Sequence, residues 1–148
     1  MGCTGYNKRS PMIQVFKLNE VNSNWIFLLP IITSYLKEDF IYCLLSVSIF
    51  IASFYYHFHK EKKTPNTSKT HLSFLRLLDV SIAGLSYFYM FYFVHRYVDG
   101  AQNILYGLLL LTVIFYFVGK QEVGKKYNIH TYFHLAIGVV AGLIPLFG

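Results

Sequence analysis

Charge is what this sequence has least of. Among its 148 residues only 14% are Asp, Glu, Lys or Arg, against about 25% in an ordinary soluble domain. Disordered chains need high charge and low hydrophobicity, so intrinsic disorder is excluded. The two cysteines, Cys3 and Cys43, are too few for a disulfide-built scaffold. Strict apolar–polar alternation is missing too, and a run such as LLLLTVIFYFV at 108–118 does not suit the strands of a membrane barrel. There is no glycine-rich phosphate loop and no basic–aromatic patch, so the net charge of +6 does not indicate nucleic acid.

What is present is apolar surface. Hydrophobic residues make up 55% of the chain and aromatics 19%, with 14 Phe and 13 Tyr against a single Trp. A soluble domain of this size has too high a surface-to-volume ratio to hide so much. The remaining class is an integral membrane protein. Hydrocarbon offers the backbone no hydrogen-bond partner, so the expected fold is all-α, a polytopic transmembrane helical bundle. Four clear spans are expected at about 40–58, 72–94, 101–118 and 127–147. A shorter fifth candidate is WIFLLPIITSYL at 25–36, which contains Pro30 and covers only part of a ~30 Å hydrocarbon core. It reads either as a thin span helped by its flanks or as an interfacial segment with Trp25 and Tyr35 at headgroup depth, and the span is the preferred reading.

Residues 1–24 read as a mixed, polar N-terminal segment. No apolar stretch follows Lys8 and Arg9 closely enough for a cleavable signal. The Met-Gly-Cys start has Tyr6 where myristoylation wants Ser or Thr, so lipidation is not expected. Lysines cluster in two loops: Lys60, Lys62, Lys63 and Lys69 in one, and Lys120, Lys125 and Lys126 in the other. The positive-inside rule places both in the cytosol. With five crossings, Lys8, Arg9 and Lys17 fall there as well. The sequon Asn66-Thr67-Ser68 points the other way, because it would be glycosylated only in a lumenal loop.

Ionisable groups inside a span are expensive, about 2.5–3.5 kcal/mol for Asp at a helix centre. His57, Asp79, His130 and His134 stand out for this reason, and Ser53 joins them by spacing. Ser53 and His57 are four residues apart, as are His130 and His134, so each pair shares a helix face. Depth strengthens the grouping. His57 ends its span beside the 60–71 loop, Asp79 lies about two turns into the next span, and His130 and His134 follow the 120–126 loop. Two crossings separate those loops, so all five residues occupy one layer on the lysine-rich, cytosolic side. Buried imidazoles are neutral, and neutral imidazole binds Zn2+. Three such ligands leave a fourth position for water, which becomes a nucleophile near neutral pH. Asp79 could take the proton, and Ser53 could donate a hydrogen bond to a developing oxyanion.

Simpler readings stand beside this one. His57 could snorkel to the interface, Asp79 could pair with Arg76 three residues earlier, and Ser53 could bond back to its own helix. The aromatic stripe from Tyr87 to Phe93 reads as packing and interface anchors, His71 and His95 as interfacial, and Cys43 as a small apolar residue.

The ordered set resembles the CREST superfamily of membrane hydrolases, which includes alkaline ceramidases, progestin and adipoQ receptors and hemolysin-III-type proteins. SFYYH (53–57) resembles its Ser-x-x-x-His block, LRLLDVSIAG (75–84) the stretch around its aspartate, and HTYFHLAIG (130–138) its His-x-x-x-His block. The resemblance implies zinc on His57, His130 and His134, with Asp79 and Ser53 as catalytic partners. It also implies hydrolysis of lipid amides such as ceramide, although other relatives are receptors. The family core has seven spans, so a pair is missing here between Asp79 and His130. Losing an even number keeps the site residues on one side but removes cavity walls, which a homo-oligomer could restore. The expected function is therefore a zinc-dependent lipid amidase or esterase, with a membrane lipid as substrate or ligand. The alternative is a structural or receptor-like protein that keeps the metal for stability. A third reading, a proton relay through Asp79 and the histidines, lacks repeat symmetry.

Overall fold

In the computed structural model the described residues are 19–62, 68–122 and 127–148. The Met-Gly-Cys start, Lys8, Arg9, Lys17, Lys63, Asn66, Thr67, Lys125 and Lys126 lie outside them. The described residues are helical, with no strand among them. A four-residue turn α1 (Glu20–Ser23) runs through a 3-10 turn (Asn24–Phe27) into α2 (Leu28–Leu36). The long helices are α3 (Phe40–Glu61), α4 (Lys69–Tyr97), α5 (Gln102–Lys120) and α6 (Ile129–Phe147). All four are long and apolar enough to cross a membrane.

Local chemistry explains several boundaries. Asp39 caps α3, its Oδ1 accepting the Tyr42 backbone N–H at 2.9 Å, and it also receives the Tyr89 hydroxyl of α4 at 3.3 Å. The 3-10 turn sits just ahead of Pro30, whose ring would press on the carbonyl four residues back in a regular α-helix. Before α6, Asn128 takes a left-handed conformation (φ 55°), which Asn tolerates better than most residues. Its side-chain oxygen then accepts the Thr131 hydroxyl at 2.9 Å.

Residues 19–24, the end of the polar N-terminal segment, pack against the long helices. Asn19 caps α1 through the Asn22 backbone N–H at 2.7 Å, and Ser23 and Asn24 are buried. The run from Glu20 to Leu36 lies antiparallel to α3. At one end Glu20 meets His57 and Lys60, and at the other Ser34 accepts the Asp39 backbone N–H. The 25–36 segment is thus the apolar part of a 17-residue helical run, about 25 Å long. Its first turn carries polar side chains that find partners inside the protein.

α6 is the central helix: half of its most apolar stretch is buried inside the protein, against 22% for each of the other three long helices. α2 and α5 pack on α6, while α4 leans mainly on α3 and touches α5 and α6 sparingly. The core joins Phe27, Tyr42, Val94, Leu109, Ile137 and Ile144. Close approach of the 3-10 turn and α2 to α6 depends on Gly138 and Gly142. A Cβ on Gly138 would come within 2.4 Å of Ile26, and one on Gly142 within 2.5 Å of Leu29. Such small-x-x-x-small stripes let helices meet tightly where lipid supplies no hydrophobic drive.

Candidate metal centre

The histidines of the expected trio come from two helices, each set in place by a local device. α3 carries His57 on its last turns, directly under α1, where the imidazole is only 1% exposed. The αL residue Asn128 starts α6 so that His130 and His134 project one turn apart from a single face. Gly119 brings the end of α5 against them, since a Cβ there would sit 3.0 Å from the His130 backbone nitrogen.

The three rings converge. Centroids lie 4.9 Å apart for His57 and His134, 5.5 Å for His57 and His130, and 4.8 Å for His130 and His134. One ring nitrogen from each falls within 4.8 Å of the others. The Nε2 atoms of His130 and His134 are 3.3 Å apart. Two nitrogens bound at about 2.0–2.1 Å to one tetrahedral ion lie about 3.3 Å apart, so this pair already has the spacing of two ligands. His57 Nε2 is buried with no hydrogen-bond partner. An orphaned buried ring nitrogen is costly, and beside two other imidazoles it is what a metal ligand looks like without its ion. The residues fit a cation.

The outward nitrogens are tied down by α1 and the 3-10 turn. His57 Nδ1 lies 2.9 Å from Glu20 Oε2, and His134 Nδ1 lies 2.8 Å from Asn24 Oδ1. Lys60 donates to the same Glu20 oxygen at 2.5 Å. Burial by itself would raise the Glu20 pKa, but the contacts with His57 and Lys60 outweigh it and hold the carboxyl well below the ordinary carboxylate range.

Asp79 and Ser53 complete the layer. Asp79 lies beside the Ser53 hydroxyl and near the His57 ring. Among the described residues Asp79 forms no ion pair with Arg76, and Glu20 is the carboxylate that contacts both His57 and Lys60. His57 does not snorkel outward. His59 turns away, with Nδ1 at 2.9 Å from its own helix carbonyl at Tyr55, and His71 and His95 are exposed near the two ends of α4.

Ser53, Asp79, His130 and His134 line one end of a cavity of about 550 Å³. The cavity continues along α3 past Ile49 and Ser46 to Tyr42, roughly 16 Å at helical rise, with Ala83, Tyr87 and Met90 on the α4 side. Phe88 and Phe117 line it while remaining 78% and 60% exposed, which places its open side between α4 and α5.

Sequence reasoning missed Glu20 and Asn24, the two residues that carry the outward hydrogen bonds. A signal was present, because they are also four apart and share a face, as Ser53/His57 and His130/His134 do. No family model, curated protein or solved structure matches the chain.

Proposed function

We propose that this is a multi-pass membrane protein with an intramembrane zinc site on His57, His130 and His134, and that it hydrolyses an amide or ester bond of a membrane lipid in the manner of the CREST hydrolases it resembles. One observation carries the reading: three converging imidazoles, one with an orphaned Nε2, sit beside Ser53 and Asp79 at the end of a largely apolar cavity. When bound, zinc supplies Lewis acidity and lowers the pKa of a coordinated water toward 7. The Asp79 carboxylate would accept a proton from the attacking water and return it to the leaving amine or alcohol. The Ser53 hydroxyl donates to the oxygen on which charge develops. The cavity's size falls in the range of small-molecule sites, and its apolar walls suit an acyl chain entering from between α4 and α5. The positive-inside rule assigns the site's layer to the cytosolic side.

Purified protein should carry about one zinc per chain, and His134→Ala should remove it. Lipid turnover should require both metal and Asp79, with Asp79→Asn lowering it at least 100-fold. Wild-type protein that stays metal-free after purification from zinc-replete cells ends this reading.

The second reading, a structural or receptor-like protein, is favoured by a separate observation. The trio joins α3 to α6, and its outward bonds add α1, so a metal there would staple three elements. That reading expects chelation to lower thermal stability, with no lipid product from any metal-loaded preparation.

A further inference from the structure

The turn before the first apolar run does more than close off a helix. We propose that Glu20 and Asn24 are positioning residues of the cation site, holding His57 and His134 in the tautomer and orientation that present Nε2 to the ion. The proposal rests on the reading that the three histidines bind a divalent cation, and it adds how a segment remote in sequence governs that binding.

A neutral imidazole has one N–H and one lone pair, and the partner of one nitrogen decides the role of the other. Glu20 Oε2 is an ionised acceptor with no proton to give, so the His57 Nδ1 it faces at 2.9 Å is the donor. The lone pair is then on Nε2, the atom left without a partner in the protein interior. Asn24 does the same for His134. Its amide could face either way, but Nδ2 donates to the Glu20 backbone carbonyl at 3.0 Å, which leaves Oδ1 toward His134 Nδ1 at 2.8 Å. Asn24 is fully buried, so the amide has no water to turn toward. Both acceptors come from consecutive turns of one helical segment, fixed at its start by the Asn19 cap and at its side by Lys60 on Glu20.

The two partners are not equivalent. A carboxylate on Nδ1 raises the basicity of the opposite nitrogen more than an amide does. Glu20 therefore strengthens the His57 bond to the ion, while Asn24 mainly aims His134. Loss of such an outer partner lowers metal affinity 10–100-fold in comparable sites.

The test uses the full chain in detergent or nanodiscs, stripped with a chelator and titrated with Co2+ and with Zn2+. Wild type should develop the visible absorption of tetrahedral cobalt, and His57→Ala should lose it. Asn24→Leu and Glu20→Ala should each weaken binding by 10–100-fold. Glu20→Gln and Asn24→Asp, which retain an acceptor oxygen, should keep the wild-type cobalt spectrum, with Glu20→Gln binding more weakly than wild type but more tightly than Glu20→Ala. A merely structural role would lower the melting temperature of the metal-free protein without moving the spectrum. If Asn24→Leu fails to fold, Glu20→Ala at its partly exposed position carries the test. Wild type that binds no cobalt overturns the cation reading itself. Histidine-dependent binding that Glu20→Ala and Asn24→Leu leave within threefold of wild type overturns this proposal alone.

Discussion

Tyr42 shows how single side chains settle accounts that the backbone leaves open. Pro145 lies inside α6 and has no N–H to give the carbonyl of Ala141 four residues earlier. The Tyr42 hydroxyl of α3 donates to that carbonyl at 2.8 Å, in a layer where no water would replace it. Tyr42→Phe should therefore lower stability by about 1–3 kcal/mol, the cost of a buried unsatisfied acceptor. Introducing Pro145→Ala into the same chain restores the helical N–H, and most of the loss should disappear. Thermal unfolding of the four-member cycle measures the coupling, and strict additivity would show that the Tyr42 hydroxyl is not serving the proline gap. The site residues divide along similar lines. His57, Asp79, His130 and His134 were legible because an ionisable group in an apolar run announces itself, and helical spacing with shared depth grouped them. Glu20 and Asn24 were not legible, since polar residues in a polar segment violate no expectation. Their role appears only when α1 folds down onto the ends of α3 and α6.

At the scale of elements, α2 against α6 is the contact with least slack. Ile26 and Leu29 sit over Gly138 and Gly142, and Ile is stiff at χ1 on a helix. Gly138→Ala should push Ile26 and its helix outward and cost about 1–3 kcal/mol through overpacking. Pairing it with Ile26→Ala should return much of that stability, because the added methyl then finds space. A Gly138→Ala protein as stable as wild type would mean that α2 is held by something other than this seam. The four long helices were readable from their apolar runs: α3 runs three residues past its expected end, α4 three past both ends and α5 two past its end, while α6 begins two residues inside its expected start. The run from Glu20 to Leu36 was only half readable. Its first turn is polar, and hydropathy cannot distinguish a polar turn in water from one whose groups are satisfied within the protein.

For the whole molecule the main asymmetry is between its two ends. Glu20, His57, Lys60, Lys69, Lys120 and His130 gather at one end, while the 37–39 and 98–101 turns and Gly148 lie at the other. In sealed, cytosol-side-out membrane vesicles, a membrane-impermeant thiol reagent should label Lys62→Cys and spare Asp99→Cys, in chains whose Cys3 and Cys43 are replaced. The reverse pattern would put the histidine layer on the far face and defeat the lysine-based orientation. The distribution of site residues along the chain matters for biogenesis too. His134 takes its partner from a residue 110 positions earlier, and the trio draws on both the first and the last of the long helices. During synthesis, a nascent chain halted before α6 would hold one imidazole out of three. On the proposed cation reading, loading waits for α6, so truncated or misinserted copies lack two of the three ligands and are distinguishable from completed chains.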